Sequence, residues 1–295
     1  MSNSKLNRRK AIKAIASGTA AAFMTPIKID GSSVANKMSN NLKGNINQSV
    51  CAWCFPKSTL EELAIAGKEM GLIGIDLVSP KGWATLKKYG LHSTMCTPEK
   101  YSLTEGWNKL ENHNKLVEEY LKVIDLVVDA GYSNLFCASG NAFGMDRMTG
   151  IKNCEIGLKK IISKAEKRNV TIVMELLNSK VNHPDYMCDK SEWGIKLCNT
   201  IGSTNFKLLY DIYHMQIMEG DVISTIKKNY QYFGHYHTAG VPGRHELDTN
   251  QELYYPAIMK AILSTGFKGI VAQEFIPKSK NPLKALKEAV ILCDV

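Results

Sequence analysis

A closed (β/α)8 barrel, an α/β fold with a parallel closed sheet, is what the sequence predicts, and three observations predict it. The first is alternation. From Asn45 onwards, short β-branched or aromatic runs alternate with amphipathic stretches at roughly 25–40 residue spacing. Strand alternating with helix gives a parallel sheet with right-handed crossovers. The second is the count: eight such units in a chain of 295 residues, the size of one large α/β barrel. The third is that the last four strands each end in a carboxylate or imidazole, on the face where barrels of this kind carry their active sites. An open doubly wound sheet would show a Gly-rich phosphate turn after its first strand. Here that turn reads WCFPKST, without glycine.

The elements follow in order. Gln48–Trp53 is strand-like. Ser58 caps a helix running to about Met70, with Glu61 three positions on completing a capping box, and Gly71 stops it. Ile73–Val78 is the second strand, Lys81–Lys88 a short helix, and Gly90 leads into strand Leu91–Met95. After a polar loop over Thr97–Asn108, the helix Leu110–Ala130 is marked by Leu116, Tyr120, Val123, Ile124, Val127 and Val128 at three- and four-residue spacing. Gly131 ends it. Asn134–Ala138 is the fourth strand, Gly140–Gly150 a loop and Cys154–Arg168 a helix. Four apolar runs then follow: VTIVMELLNSK, FKLLYDIYHMQIMEGD, YFGHYHTAGVPGRHELD and KGIVAQEFIP. Helices at Ser191–Ile201, Asp221–Asn229 and Leu253–Thr265 separate them, and Pro282–Cys293 closes the chain.

Composition excludes several classes of function. An apolar fraction of 44% with 22% charged residues is that of a globular protein. The formal charge is +9, but residues 1–30 hold six basic side chains against Asp30 alone, so five of the nine net charges sit there. The remaining basicity does not argue for a nucleic-acid partner. No run approaches the ~18 consecutive apolar residues of a membrane span. Asn7-Arg8-Arg9-Lys10-Ala11-Ile12-Lys13 followed by the Ala-rich stretch to Met24 is similar to a twin-arginine export signal, with Ala11 where Phe is usual. Residues 1–45 are therefore expected to be signal and linker, and 46–295 one catalytic barrel. Export to the periplasm is the expected localisation, with the cytoplasm as alternative. The eight cysteines include Cys51-x-x-Cys54, but no second pair or suitably spaced His completes a zinc site, so they are expected to be buried thiols.

Glu175, Asp211, His237 and Glu274 stand at the ends of the last four strands. They are 36, 26 and 37 residues apart, each step close to one strand–helix unit. All four should face one cup. Three carboxylates and one imidazole suit a divalent metal of hard or borderline character, Mn2+ or Mg2+, with Co2+ also able to serve. His235 shares a strand face with His237, so it would support the ligand or touch substrate. His214, three residues past Asp211, would reach over the site. Trp53 and Phe55 would either line a substrate wall or fill the barrel top. The expected partner is a small-molecule substrate, with no nucleic acid and no membrane span; homo-oligomerisation is left open.

ELLNSK, DIYHMQIMEGD, GHYHTAGVPGRHELDT and AQEFIP resemble, in order and spacing, the motifs of the hydroxypyruvate isomerase family. That family belongs to the xylose-isomerase-like TIM barrels and has the ketose 3-epimerases as relatives. The resemblance covers residues 46–292. It implies a metal held by Glu175, Asp211, His237 and Glu274, with Glu175 and Glu274 as the proton-transfer pair. It implies substrate contacts from His214 and Arg244, the latter a fixed cation for a carboxylate or hydroxyls. His245 and Glu246 would orient Arg244; Asn178 and Lys180 are lesser candidates. The chemistry is removal of a proton α to a carbonyl through an enediolate, with one glutamate taking the proton and the other returning one. His235-Tyr236-His237 replaces the His-x-Gln common in hydroxypyruvate isomerases and is closer to the epimerase pattern. The expected function is a hydroxypyruvate isomerase-like isomerase; the alternatives are a ketose 3-epimerase on free sugars and a binding-only barrel without turnover. The related barrels that cut DNA at abasic sites need more metals and more His ligands than this chain offers.

Overall fold

The computed structural model describes residues 42–295. The expected export signal falls on residues outside them. The described chain is a closed barrel of eight parallel strands in sequential order, sealed by β8 against β1. The strands are β1 (Asn47–Cys51), β2 (Gly74–Val78), β3 (His92–Cys96), β4 (Asn134–Cys137), β5 (Thr171–Glu175), β6 (Phe206–Asp211), β7 (Phe233–Thr238) and β8 (Ile270–Gln273). The α-helices among the described residues are α1 (Leu60–Met70), α2 (Pro80–Lys88), α3 (His113–Asp129), α4 (Arg147–Lys167), α5 (Ser191–Ile201), α6 (Ile212–Met218), α7 (Val222–Asn229), α8 (Tyr255–Ser264) and α9 (Pro282–Cys293). None is long and apolar enough to cross a membrane.

Several boundaries differ from the sequence reading, and three differences bear on the helices. The first helix is capped by Thr59, not Ser58: Thr59 Oγ1 accepts from Glu62 N, and Glu62 Oε2 accepts from Thr59 N at 2.8 Å. Ser and Thr stand side by side, each with Glu three residues on, so the pattern alone admits both registers. Helix α4 starts two turns earlier than expected. Asp146 Oδ1 accepts from the backbone N–H groups of Met148 and Thr149, each at 3.0 Å, an N-cap hidden in a loop of glycines. Helix α6 was not anticipated at all; Asp211 caps it through its Oδ1, 2.9 Å from His214 N.

Apolar residues of the strands and of the inner helix faces form one continuous core; Ile75, Ile172, Leu208, Tyr236 and Val271 are fully buried. Burying such side chains contributes about 1.5–3 kcal/mol each. The barrel interior is different. Ser49 of β1, Asp76 of β2, Thr94 of β3 and His235 of β7 meet there as a hydrogen-bonded polar layer. Gly74 lets β2 and β3 close around it: a Cβ there would lie 2.3 Å from the His92 carbonyl oxygen.

Candidate active site

Glu175 ends β5, Asp211 ends β6, His237 lies one residue from the end of β7, and Glu274 directly follows β8. Asp211 and His237 are register partners across β6 and β7. Alternation along the strand turns His235 and His237 to the same interior face, with Tyr236 packed outward on Phe267. One ligand atom from each of Glu175, Asp211, His237 and Glu274 lies within 4.8 Å of every other, and all four residues are buried. The structure thus brings together the four side chains that the sequence singled out.

Their contacts are specific. His237 Nδ1 is 3.1 Å from Glu175 Oε1 and 2.9 Å from Glu274 Oε2. Glu274 Oε1 accepts from the indole N–H of Trp53 at 2.9 Å, and its Oε2 accepts from Arg244 Nη2. Arg244 Nη2 also stands 3.6 Å from Asp211 Oδ2. The guanidinium lies over two aromatic rings, 4.9 Å from the Trp53 ring centre and 5.5 Å from that of Tyr213. Arg244 is held in a left-handed conformation at φ 62°, with its own N–H on the Gly240 carbonyl at 2.9 Å. Its charge is committed to Glu274 and Asp211 rather than left open to solvent.

Three buried carboxylates against one guanidinium leave two negative charges uncompensated. Burying an unpaired carboxylate costs several kcal/mol per ion, so a cation or protons must enter the cluster. Burial, then the neighbouring Glu274, push the carboxyls of Glu175 and Asp211 up, Asp211 far above its usual range. Burial also opposes ionisation of Glu274, but the Arg244 charge outweighs it and holds this carboxyl well below its usual range. Burial opposes a charge on His237 too, yet the acidic groups around it raise its pKa well above that of a free imidazole. A site that retains protons in these places without metal has the donor set and charge deficit of a divalent-cation site. The residues therefore fit the divalent metal that the sequence suggests.

His214 is fully buried in the first turn of α6. The backbone N–H of Asn178 donates to its Nδ1 at 3.1 Å, so the neutral ring carries its proton on Nε2. Burial, reinforced by Arg244, holds its pKa well below the ordinary value, and the ring is neutral. Nε2 has no hydrogen-bond partner and stands 3.7 Å from Asp211 Oδ2. It is a donor waiting beside the carboxylates.

Other expected residues land elsewhere. His235 is not on the substrate side: it is fully buried beneath His237, with Nε2 2.6 Å from Asp76 Oδ2. Phe55 is packed edge-on against Phe275 and fills the barrel top, while Trp53, 44% exposed, forms the wall. Lys180 Nζ caps the end of α6 through the carbonyls of Ile217 and Met218, at 2.9 and 3.0 Å. His245 and Glu246 do not touch Arg244; they pin the loop after β7 to the chain after β8, through the Ile276 carbonyl and the Lys278 and Ser279 N–H groups. All eight cysteines are buried free thiols. Sequence reasoning missed Asp76. Its one signal was a carboxylate inside the otherwise apolar run GIDLV.

The family described as xylose isomerase-like TIM barrel matches residues 79–292. The chain is 35% identical over 115 residues to the 2-oxo-tetronate isomerase of Cupriavidus necator, and 34% over 107 residues to the hydroxypyruvate isomerase of Escherichia coli. These stretches cover 39% and 35% of this chain, and less than half of each relative, 44% and 41%. A putative hydroxypyruvate isomerase of Danio rerio aligns more widely, 23% identical over 78% of this chain and 79% of the relative. Among solved structures, an AP endonuclease family 2 protein from Brucella melitensis superposes with a TM-score of 0.73 at 23% identity, covering 82% of this chain and 97% of that one. A D-psicose 3-epimerase from Clostridium cellulolyticum gives 0.64 at 14% identity, covering 84% and 95%. At these identities the two structures speak for the shared fold.

Proposed function

The chain belongs to the xylose isomerase-like TIM barrels, and from that membership we propose a divalent-metal-dependent isomerase. It moves a proton between adjacent carbons of a small hydroxy-keto acid or unphosphorylated sugar, in the manner of a hydroxypyruvate isomerase. The observation that carries this reading is the pair Glu175 and Glu274, both within 3.1 Å of one imidazole nitrogen in a buried cluster short of two positive charges. Glu175, Asp211, His237 and Glu274 would hold the cation, Mn2+ or Mg2+, whose charge makes an enediolate accessible near neutral pH.

The chain's own residues supply the rest. The two glutamates reach one space from different strands. One removes the proton α to the carbonyl and the other returns a proton to the adjacent carbon, the hydroxyl proton passes from one substrate oxygen to the other, and proton exchange with water resets the two carboxyls. General acid–base help of this kind contributes roughly 10²–10⁴-fold. The Nε2–H of His214 donates to a substrate oxygen, since its tautomer is set by Asn178. Arg244 pairs with Glu274 and keeps it ionised. Trp53 fixes the Glu274 carboxylate through its indole N–H and walls the cup. The named activities of the sequence relatives support an isomerase acting on a short oxo-acid.

A second reading is a ketose 3-epimerase, favoured by His237 where a His-x-Gln pattern would place Gln. The two separate by assay with Mg2+ in D2O: hydroxypyruvate and tartronate semialdehyde on one side, free ketohexoses on the other. Interconversion with deuterium uptake in the first set is expected. Absence of α-deuterium uptake from every substrate of both sets would refute the isomerase and the epimerase alike, and leave a binding-only barrel.

A further inference from the structure

Beneath the proposed metal cluster lies a buried carboxylate that the chemistry above does not use. Asp76 is fully buried inside the barrel, and four side chains donate to it. Ser49 Oγ reaches Oδ1 at 2.8 Å, and Thr94 Oγ1 donates to the same oxygen. His235 Nε2 and His237 Nε2 lie 2.6 and 3.0 Å from Oδ2. Strands β1, β2, β3 and β7 all contribute, so this is a built site rather than a stray acid.

The backbone is distorted to aim it. The pairing of β2 with β3 slips on both sides of Asp76, and the next residue, Leu77, takes φ 58°. A left-handed leucine within a strand is strained and persists only where the surroundings over-determine it. Bulges of this kind re-aim side chains beside functional sites.

The consequence is a matter of proton placement. An ionised carboxylate only accepts, so both imidazoles must present an Nε2–H to Asp76. In neutral His237 the lone pair is then on Nδ1, the atom that faces Glu175 and Glu274. We propose that Asp76 is the positioning residue of the site: it locks His237 in the Nε2–H tautomer and so turns Nδ1 into a ligand atom for the cation. His235, on the same carboxylate oxygen, buttresses Asp76 and does not touch substrate. Ligating histidines commonly hand their other N–H to a carboxylate, and losing that partner typically weakens metal binding 10–100-fold. The proposal rests on the metal-dependent reading of the cluster.

The test is Mn2+ binding alone, followed by electron paramagnetic resonance titration and by calorimetry, with thermal melts of the metal-free protein. Asp76→Asn should weaken Mn2+ binding about 10–100-fold, because an amide can turn its NH2 towards His237 Nε2 and drive the proton to Nδ1. Thr94→Val, which removes one hydroxyl from the far oxygen, should weaken it several-fold, and Thr94→Ser should restore it. This pair stands in for Asp76→Asn if that variant does not fold. Equal Mn2+ affinity in wild type and in the folded variants, even with a lowered melting temperature, would overturn the role of Asp76 and leave the metal reading intact. A wild-type protein that takes up no Mn2+, Mg2+ or Co2+ would overturn both.

Discussion

Glu274→Gln removes one charge and one acceptor from a carboxylate on which Trp53, Arg244 and His237 converge. The side chain keeps its volume, so packing against the neighbouring residues is preserved. Chemistry should fall hardest. Loss of one acid–base group lowers proton transfer by ~10²–10⁴-fold, or ~3–5 kcal/mol of barrier at ~1.36 kcal/mol per decade. Stability should fall less. An amide has one acceptor oxygen where the carboxylate has two, so either the Trp53 N–H or the Arg244 and His237 donors lose their partner, at about 1–3 kcal/mol. Relief of crowding among the three carboxylates works the other way. With roughly 2–4 °C per kcal/mol for a domain of this size, the metal-free protein should melt lower by about 12 °C at most. The assay is deuterium uptake at the α carbon in D2O with Mg2+, on a substrate that the wild type exchanges. Exchange within tenfold of wild type would remove Glu274 from proton transfer, whatever happens to the melting temperature.

Three further outcomes follow from the same structure. Arg244→Met leaves buried carboxylates without their cation, so the metal-free protein should lose about 3–5 kcal/mol; added Mn2+ should narrow the gap in thermal melts, and an unchanged melting temperature would contradict the ion pairs described here. Burial pushes the thiols of Cys96, Cys198 and Cys293 up to about 12. A raised pKa keeps a thiol protonated, so at pH 8 their alkylation in the native protein should be ~10³-fold slower than that of an exposed thiol of pKa ~8.5; a rate within tenfold of the exposed thiol's would show an accessible cysteine. Asp146→Ala removes the N-cap of α4 and should lower the denaturant unfolding midpoint with the Mn2+ affinity unchanged; an unchanged midpoint would mean that the helix is capped by other means.

Much of the site was legible because its information is local. Each of Glu175, Asp211 and Glu274 closes an apolar run, and His237 lies near the end of another. In a parallel barrel, all such ends share one rim. His214 was legible as a neighbour of Asp211, but not as the third residue of a helix capped by that same aspartate, nor as an Nε2–H donor fixed by Asn178. Both facts depend on loop conformations that turn chemistry in the sequence does not spell out.

The sequence by itself determined the barrel, its strand order and the four residues that converge at its mouth. Strand alternation and helical periodicity are short-range signals, and eight repeats of them admit one closed arrangement. The tertiary structure decided what lies beneath. Asp76 reaches His237 across 161 residues of chain because closure of β8 on β1 brings β2 within reach of β7 and a bulge turns the carboxylate inward. Neither closure geometry nor a bulge leaves a periodic mark. The structure likewise decided that Arg244 is paired inside the cluster and that His235 serves Asp76, since a side chain's partner depends on which strands the fold sets face to face.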